Sequence, residues 1–163
     1  MKLYRRLGEA GAAMLLLLAP AMWNRFPFLQ YDSGGYLARC VIRDADTGSI
    51  AGFVTLSAAQ IEREFLAKGH RRDKPDPVPA TWLGQFAIDR AYQRQGHASS
   101  LLRFALVTAL RASRDVGSFG VLTHPIDDEA RAFYRHHGLE DVPYDPKRSM
   151  MVRMIDLENS GLG

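Results

Sequence analysis

The change in apolar spacing at Gly96 constrains the fold of this chain more than any other feature. Before it, residues 81–89 form a mostly apolar run with the length of a strand. After it, apolar residues recur every three or four positions, as on one face of a helix. They are Leu101, Leu102, Ala105, Leu106, Ala109 and Leu110. Gly117 is placed to end this helix, so the sequence predicts a strand, a short loop and a long amphipathic helix.

The rest of the pattern predicts an α+β fold around a mixed sheet. Residues 37–43 and 50–56 are rich in strand formers and flank the turn signal Asp46-Thr47-Gly48, which predicts a β-hairpin. The second strand either continues through Ile61 or gives way to a helix over residues 61–68, and the sequence leaves this open. The other predicted elements are strands at residues 81–89, 119–124 and 150–155, and a helix at residues 128–137 capped by Asp127 or Asp128.

Composition indicates one compact domain. The chain has 163 residues, 47% of them hydrophobic and 24% charged, and its only cysteine is Cys40, which excludes a disulfide framework or a Cys/His metal site. The domain is predicted at residues 37–158, with an atypical hydrophobic segment at residues 1–36 and a tail at 159–163. A basic cluster is interpreted as an exposed, solvated loop, with contact to phosphate as the alternative. Its members are Lys68, Arg71, Arg72 and Lys74.

The N-terminal segment allows three interpretations. Lys2, Arg5 and Arg6 precede the apolar run of residues 10–23, as in a secretory signal. The run is shorter than the roughly 20 apolar residues that span a membrane, and Pro20 weakens it further. An internal helix is therefore the preferred interpretation, ahead of a membrane-associated anchor and then of a cleaved signal or a composite N-terminus.

The loop at the start of the long helix is the first candidate site. Gly96 and Ala98 are small enough to let the backbone approach a ligand closely, and the N–H groups at a helix N-terminus favour a pyrophosphate. Taken alone, the string Gln93-Arg94-Gln95-Gly96-His97-Ala98 is weak evidence, because an ordinary strand-to-helix turn is the alternative.

A second motif gives this loop a family context. Residues 130–139, Ala-Arg-Ala-Phe-Tyr-Arg-His-His-Gly-Leu, follow the next predicted strand. Together the two motifs resemble those of the GNAT acetyltransferases, and the resemblance extends over residues 37–157. It implies the α/β-type GNAT fold, with a mixed, largely antiparallel central sheet flanked by helices. It also implies acetyl-CoA as co-substrate and no metal.

The resemblance assigns roles to individual residues. The backbone of Phe86, Ala87 and Ile88 would pair with the pantetheine arm of acetyl-CoA and polarise the thioester carbonyl. The pyrophosphate would be held by Arg94, Gln95, Gly96, His97, Ala98 and Ser99. Tyr134 would be the catalytic acid, because a phenol with a pKa of about 10 is protonated at neutral pH. The alternative for Tyr134 is simple packing beside Phe133.

No general base is evident from the sequence. Glu62, Glu64 and Asp89 are interpreted as surface or strand-end charges. The histidines have no metal-ligand spacing and are expected in solvated or capping roles; those considered are His97, His124, His136 and His137. An α-amine, with a pKa of about 8, is partly neutral at physiological pH and suits such a site better than a lysine.

Within the superfamily, the chain is most similar to the tRNA-acetylating toxins of type II toxin-antitoxin systems. The similarity lies in residues 52–59, 78–80, 83–89 and 124–130, whereas residues 1–36 do not match. It implies acetylation of the α-amine of aminoacyl-tRNA and a ribbon-helix-helix antitoxin as partner, and it leaves a homodimer open. The alternatives are a small amine or a protein N-terminus as acceptor, or an inactive acetyl-CoA-binding protein. Because acetyl-CoA is kept in the cytosol, we expect a cytoplasmic protein, with membrane association through residues 10–23 less favoured.

Overall fold

The computed structural model describes residues 37–44 and 46–161, which form a six-stranded sheet flanked by helices. The strands are β1 Leu37–Arg43, β2 Ile50–Ile61, β3 Val78–Ile88, β4 Gly120–Thr123, β5 Glu140–Asp141 and β6 Met150–Arg153; the helices are α1 Lys68–Arg71, α2 His97–Val116, α3 Asp128–His136 and α4 Met154–Asn159. Two short 3-10 helices are Arg63–Phe65 and Arg90–Tyr92. The predictions for residues 1–36, including the apolar run of residues 10–23, lie outside the described residues.

The sheet is mixed and largely antiparallel, as predicted. Its strand order is β1-β2-β3-β4-β6-β5, and only the β3–β4 pair is parallel. A parallel pair needs a crossover connection, and α2 provides it. The other four neighbouring pairs are antiparallel, including the predicted hairpin of β1 and β2.

The two faces of the sheet carry separate apolar clusters. On one face, α2 contributes all six residues that its periodicity predicted to be buried, and they pack with Leu83, Val121 and Tyr134. On the other face, Leu66 and Val142 pack with Leu122. Full burial of a leucine side chain stabilises a fold by about 1.5–3 kcal/mol, so the leucine-rich face of α2 is sufficient to fix this helix against the sheet.

The second strand continues to Ile61, which is one of the two alternatives that the sequence left open. Two other predictions differ from the structure. The basic cluster is not a loop throughout, because Lys68 and Arg71 lie in α1. The last strand ends at Arg153, where the predicted strand of residues 150–155 gives way to α4, because a short apolar run does not distinguish strand from helix.

None of the helices within residues 37–44 and 46–161 combines the length and the apolarity that crossing a bilayer requires.

Candidate active site

The central feature of the site is the divergence of β3 and β4. The parallel ladder between them pairs only Thr81 with Val121 and Trp82 with Leu122. Beyond it, β3 continues to Ile88 against β2 alone. Thr123, the last residue of β4, bridges the two strands with its side chain, because its hydroxyl donates to the carbonyl of Leu83 at 2.9 Å. A wedge between two strands therefore begins at Thr123.

A β-bulge in β3 sets which side chains line this wedge. The register against β2 shifts between Val54 and Leu56, so two residues of β3, Gly84 and Gln85, lie opposite the single residue Thr55 of β2. The buried hydroxyl of Thr55 accepts a hydrogen bond from the Gln85 amide at 2.8 Å. A Cβ at Gly84 would lie only 2.8 Å from this hydroxyl, which explains why this position is occupied by glycine. Bulges redirect side chains, and this one turns Phe86 toward the face that carries α2 and α3.

The same register decides which backbone groups of β3 face the wedge. The Asp89 amide donates to the carbonyl of Ala51 on β2 at 2.9 Å. Because amides alternate sides along a strand, the N–H and C=O of Ala87 also point to β2, and the N–H groups of Phe86 and Ile88 point away from it. Of the three residues predicted to contact pantetheine, Phe86 and Ile88 therefore present their amides on the wedge side.

The predicted pyrophosphate loop has an unusual backbone at the start of α2. Gly96 is the N-cap residue with φ +81°, and Arg94 has φ +59°. Gly96 has no side chain to cap the first turn, in contrast to Asp127 at the start of α3, whose carboxylate accepts from the Ala130 amide. The N-cap residue of α2 therefore makes no side-chain hydrogen bond to the N–H groups of the first turn, which is the end of a helix that favours anions.

Side chains within the loop hold it against β3. The Gln93 amide group donates to the carbonyl of Ile88 at 3.1 Å, and that of Gln95 donates to the carbonyl of Ala91 at 3.0 Å. Asp89 caps the 3-10 helix by accepting from the Ala91 amide. The end of β3 and the start of α2 are thus joined, which places the two predicted cofactor-binding segments next to each other.

Tyr134 lies beside the wedge on the face that carries α2. Its side chain is 6% exposed, and its ring is 6.2 Å from that of Phe86 and 5.4 Å from that of Phe133. Burial raises the pKa of Tyr134, while a hydrogen bond with Thr123 acts in the opposite direction. The phenol is therefore held in its protonated form at neutral pH.

A buried arginine fixes the helix that carries Tyr134. Arg131 pairs with Asp141 of β5 and donates to the carbonyl of Arg148 at 2.6 Å. Arg135, one turn further along α3, pairs with the same carboxylate at 2.6 Å. These contacts tie α3 to β5 and to the loop that precedes β6, so Tyr134 has a defined position relative to the end of β4.

A second polar group lies at the end of β4 on the opposite face of the sheet. The His124 ring packs edge-on against Trp82 of β3, with ring centres 4.5 Å apart, and its Nε2 lies 4.0 Å from Oδ2 of Asp145. Burial lowers the pKa of His124, Asp145 acts to raise it, and Lys147 acts to lower it further. The neutral imidazole is the dominant form at pH 7.

The remaining candidate residues are spread over the molecule. Glu62 and Glu64 lie exposed at the 3-10 helix after β2, and His136 is exposed on α3. His137 hydrogen-bonds through Nδ1 with the carbonyl of Phe133, a capping role as predicted. Within residues 37–44 and 46–161, no three His, Cys, Asp or Glu side chains are grouped so as to hold a metal ion.

Two residues at the site were not recognised from sequence. Thr123 belongs to no recognisable motif, and its hydrogen bond to Leu83 depends on the pairing of β3 with β4, which the sequence does not reveal. His124 was grouped with the other histidines, although its place between a strand and Pro125 was a usable signal, because strand ends commonly carry functional side chains.

Comparison with known proteins identifies the family of this chain. Residues 12–139 match the model of the acetyltransferase (GNAT) family. A tRNA-acetylating toxin of Mycobacterium tuberculosis is 36% identical over 115 residues, which cover 71% of this chain and 69% of that protein. A tyrosine-to-phenylalanine mutant of KacT has a TM-score of 0.73 at 23% identity, covering 94% of this chain and 87% of that one. AtaT complexed with acetyl-methionyl-tRNAfMet has a TM-score of 0.74 at 22% identity, covering 92% and 86%. The two structural likenesses concern the fold.

Proposed function

Because the chain belongs to the acetyltransferase (GNAT) family, we propose that it transfers the acetyl group of acetyl-CoA to the α-amine of the amino acid on charged tRNA and thereby blocks translation. The main support is the contact of Tyr134, in the second motif, with Phe86, on the strand that leads into the first motif, beside the divergence of β3 and β4. The acceptor class rests on the 36% identity to a protein named as a tRNA-acetylating toxin.

The described residues fit acetyl-CoA as co-substrate. The first turn of α2, opening at Gly96, would hold the pyrophosphate through the backbone of residues 94–99, because aligned amides at a helix N-terminus bind anions. The wedge side of β3 would hold the pantetheine arm through the Phe86 and Ile88 amides, whereas the backbone of Ala87 faces β2 and would not pair with that arm. Acetyl-CoA supplies the activated acetyl group, and another crystallised complex with this fold, AtaTR, is described as bound with AcCoA.

Tyr134 would act as the general acid. Its raised pKa keeps the phenol protonated, so its O–H can donate a proton to the departing sulfur. Phe86 and Phe133 pack around the ring and restrict water at this point, which strengthens any hydrogen bond that the phenol makes. Neither aromatic neighbour can supply a proton, so Tyr134 is the only member of this trio able to do so.

The acceptor and the setting follow from chemistry and similarity. An α-amine loses its proton near physiological pH, so a modest base is enough to activate it. The toxins KacT and AtaT occur in structures with antitoxin partners, described as a KacTA–DNA complex and as AtaT bound to the C-terminus of AtaR. By similarity, an antitoxin would neutralise this chain in the cytoplasm, where acetyl-CoA is made. A homodimer remains compatible with this arrangement.

Release of free CoA thiol tests the proposed acceptor. Charged tRNA should stimulate thiol release from acetyl-CoA, whereas the same tRNA after mild alkaline deacylation should not, because it lacks the amine. Equal release with both tRNAs, or release only with lysine-containing peptides, would contradict the proposal.

A further inference from the structure

The end of β4 carries two polar side chains that point to opposite faces of the sheet. Thr123 lies on the same face as Val121, two residues before it, and as Tyr134, whereas His124 packs with Trp82 on the other face. Successive strand residues point to opposite faces, which accounts for this separation. The two groups therefore flank the point where β3 and β4 part.

The geometry points to His124 as the general base that takes a proton from the attacking amine. This inference rests on the proposed function, because it assigns a role within the same reaction. Tyr134, the acid, lies on one face of the sheet and His124, the base, on the other, so a thioester bound in the wedge would lie between them. An acceptor amine approaching on the Trp82 face would meet the imidazole before it meets the wedge.

The imidazole has a contact on each of two sides. Its Nε2 lies 4.0 Å from Oδ2 of Asp145, which is longer than a hydrogen bond, and the Asp145 side chain is only 6% exposed. The imidazole ring packs in an edge arrangement with Trp82. Within the described part of the chain, no protein group hydrogen-bonds to Nδ1. Because Nε2 is the nitrogen directed at the carboxylate, Nδ1 is the one available to accept a proton, and the His124 side chain, 36% exposed, is open enough for an acceptor to reach it.

Asp145 is a positioning residue in this arrangement. Its carboxylate accepts hydrogen bonds from the Ser149 hydroxyl and from the Lys147 amide at 2.9 Å, which fix it in the loop before β6. The charged groups acting on His124 are Asp145 and Lys147, both from this loop, and Trp82 on β3 is uncharged. A nearby carboxylate favours the imidazolium that forms when the base has taken its proton.

The proton and electron balance of the step is complete. The lone pair of the neutral amine forms the new N–C bond, and the C–S bond breaks with its electron pair on sulfur. The amine nitrogen gives one proton to Nδ1 of His124, and sulfur takes one proton from Tyr134. Both side chains then return to their starting states by exchange with water, so the only net products are the amide and CoA thiol.

Substitution of His124 by glutamine tests the assignment. His124→Gln should lower kcat/KM by about 100-fold near pH 7 without changing acetyl-CoA affinity, because general base catalysis typically contributes at least that factor. The matched control is His136→Gln, which changes an exposed histidine of α3 and should leave the rate unchanged.

The pH profile separates a base from a merely structural residue. In wild type, log kcat/KM should fall with slope one as the amine becomes protonated and with slope two below the His124 midpoint. His124→Gln should keep slope one throughout, since only the amine then titrates. As a readout independent of turnover, proton NMR of the His124 ring in the full-length protein should show a single titration that Asp145→Asn shifts to lower pH.

The outcomes distinguish this inference from the proposed function. If wild type acetylates charged tRNA but His124→Gln retains its rate and its slope-two limb, the base assignment fails and the proposed function stands. If wild type acetylates a free α-amine but not charged tRNA, the proposed acceptor class fails. The pH dependence of log kcat/KM with that amine then tests His124, which is supported if wild type shows the slope-two limb and His124→Gln does not. If no α-amine is acetylated, or if the His124 titration does not respond to Asp145→Asn, the inference is overturned.

Discussion

At the scale of single residues, burial determines what Tyr134 can do. A phenol in water already keeps its proton at neutral pH, and burial raises the pKa of Tyr134 further. Thr123, which is buried at the end of β4, acts on the pKa of Tyr134 in the opposite direction to burial.

Removal of this hydroxyl should affect turnover and not binding. Tyr134→Phe is expected to lower kcat by about 100-fold or more while the acetyl-CoA Kd stays within about twofold, because only a transition-state interaction is lost. Stopped assays of turnover and calorimetry of acetyl-CoA binding measure the two quantities. Tyr144→Phe is the control, since Tyr144 is 53% exposed and lies outside the site. Unchanged turnover in Tyr134→Phe would remove Tyr134 from the mechanism.

Thr123 should contribute to stability as well as to positioning. Thr123→Val keeps the shape of the side chain but leaves the buried Leu83 carbonyl without its partner, so the free energy of unfolding should fall by about 1–3 kcal/mol. Urea denaturation monitored by circular dichroism measures the change. Thr108→Val removes only a hydroxyl bonded to the Phe104 carbonyl within α2, and it should cost much less. Similar losses in both variants would contradict the bridging role of Thr123.

At the scale of elements, the glycine at the mouth of α2 is required by its backbone conformation. A residue with a Cβ strains at φ +81°, by about 1–2 kcal/mol. Space is not the limit, because a Cβ at Gly96 would meet nothing within 4 Å. The glycine thus permits the left-handed backbone conformation with which the loop enters α2.

Substitution of Gly96 should therefore weaken cofactor binding. In Gly96→Ala the loop can relieve its strain by relaxing, and each 1 kcal/mol that binding must then restore lowers acetyl-CoA affinity by about fivefold. Calorimetric titration measures the affinity. Gly69→Ala in α1, where a Cβ also meets nothing and φ is not in the left-handed region, is the control. Equal affinities of the Gly96 and Gly69 variants would show that the loop conformation does not matter for binding.

Sequence periodicity was sufficient for the elements that bury a continuous apolar face. The helix after Gly96 was predicted almost to the residue, since six apolar positions on one face leave little choice. The two-residue strand β5 was not predicted, because Glu140 and Asp141 have no strand pattern and pair only through the position of β6. Likewise, the motifs predicted Tyr134 and the loop at Gly96, whereas His124 gains its significance from Trp82 and Asp145, which are distant in sequence.

At the scale of the whole molecule, the lowered pKa values of His124 and Asp145 predict how the free energy of unfolding depends on pH. The pKa of His124 is lowered in the folded state, so the unfolded chain takes up the proton more readily, and stability falls as the pH drops below about 6.5. Burial of Asp145 opposes its ionisation, but hydrogen bonds from Ser149 and Lys147 outweigh burial and lower its pKa. Its contribution is present above the unfolded pKa of 3.8 and is lost as the pH falls through the folded value.

Two acid-sensitive windows should therefore appear in denaturation experiments. Urea midpoints of wild type should fall first below about pH 6.5 and again below about pH 4, with little change between about pH 7 and pH 9. His124→Gln should remove the first decrease and keep the second, because the carboxylates are unchanged. A first decrease of equal size in His124→Gln would mean that another group causes it.

The most direct test of the whole account is to locate the transferred acetyl group. Charged tRNA is incubated with the protein and isotopically labelled acetyl-CoA, and the nuclease-released aminoacyl-adenosine is examined by mass spectrometry. The account predicts one labelled acetyl group on the α-amine of the esterified amino acid, and a loss of about 100-fold in its rate of formation with Tyr134→Phe. An unmodified aminoacyl-adenosine, or label on another atom, would contradict it.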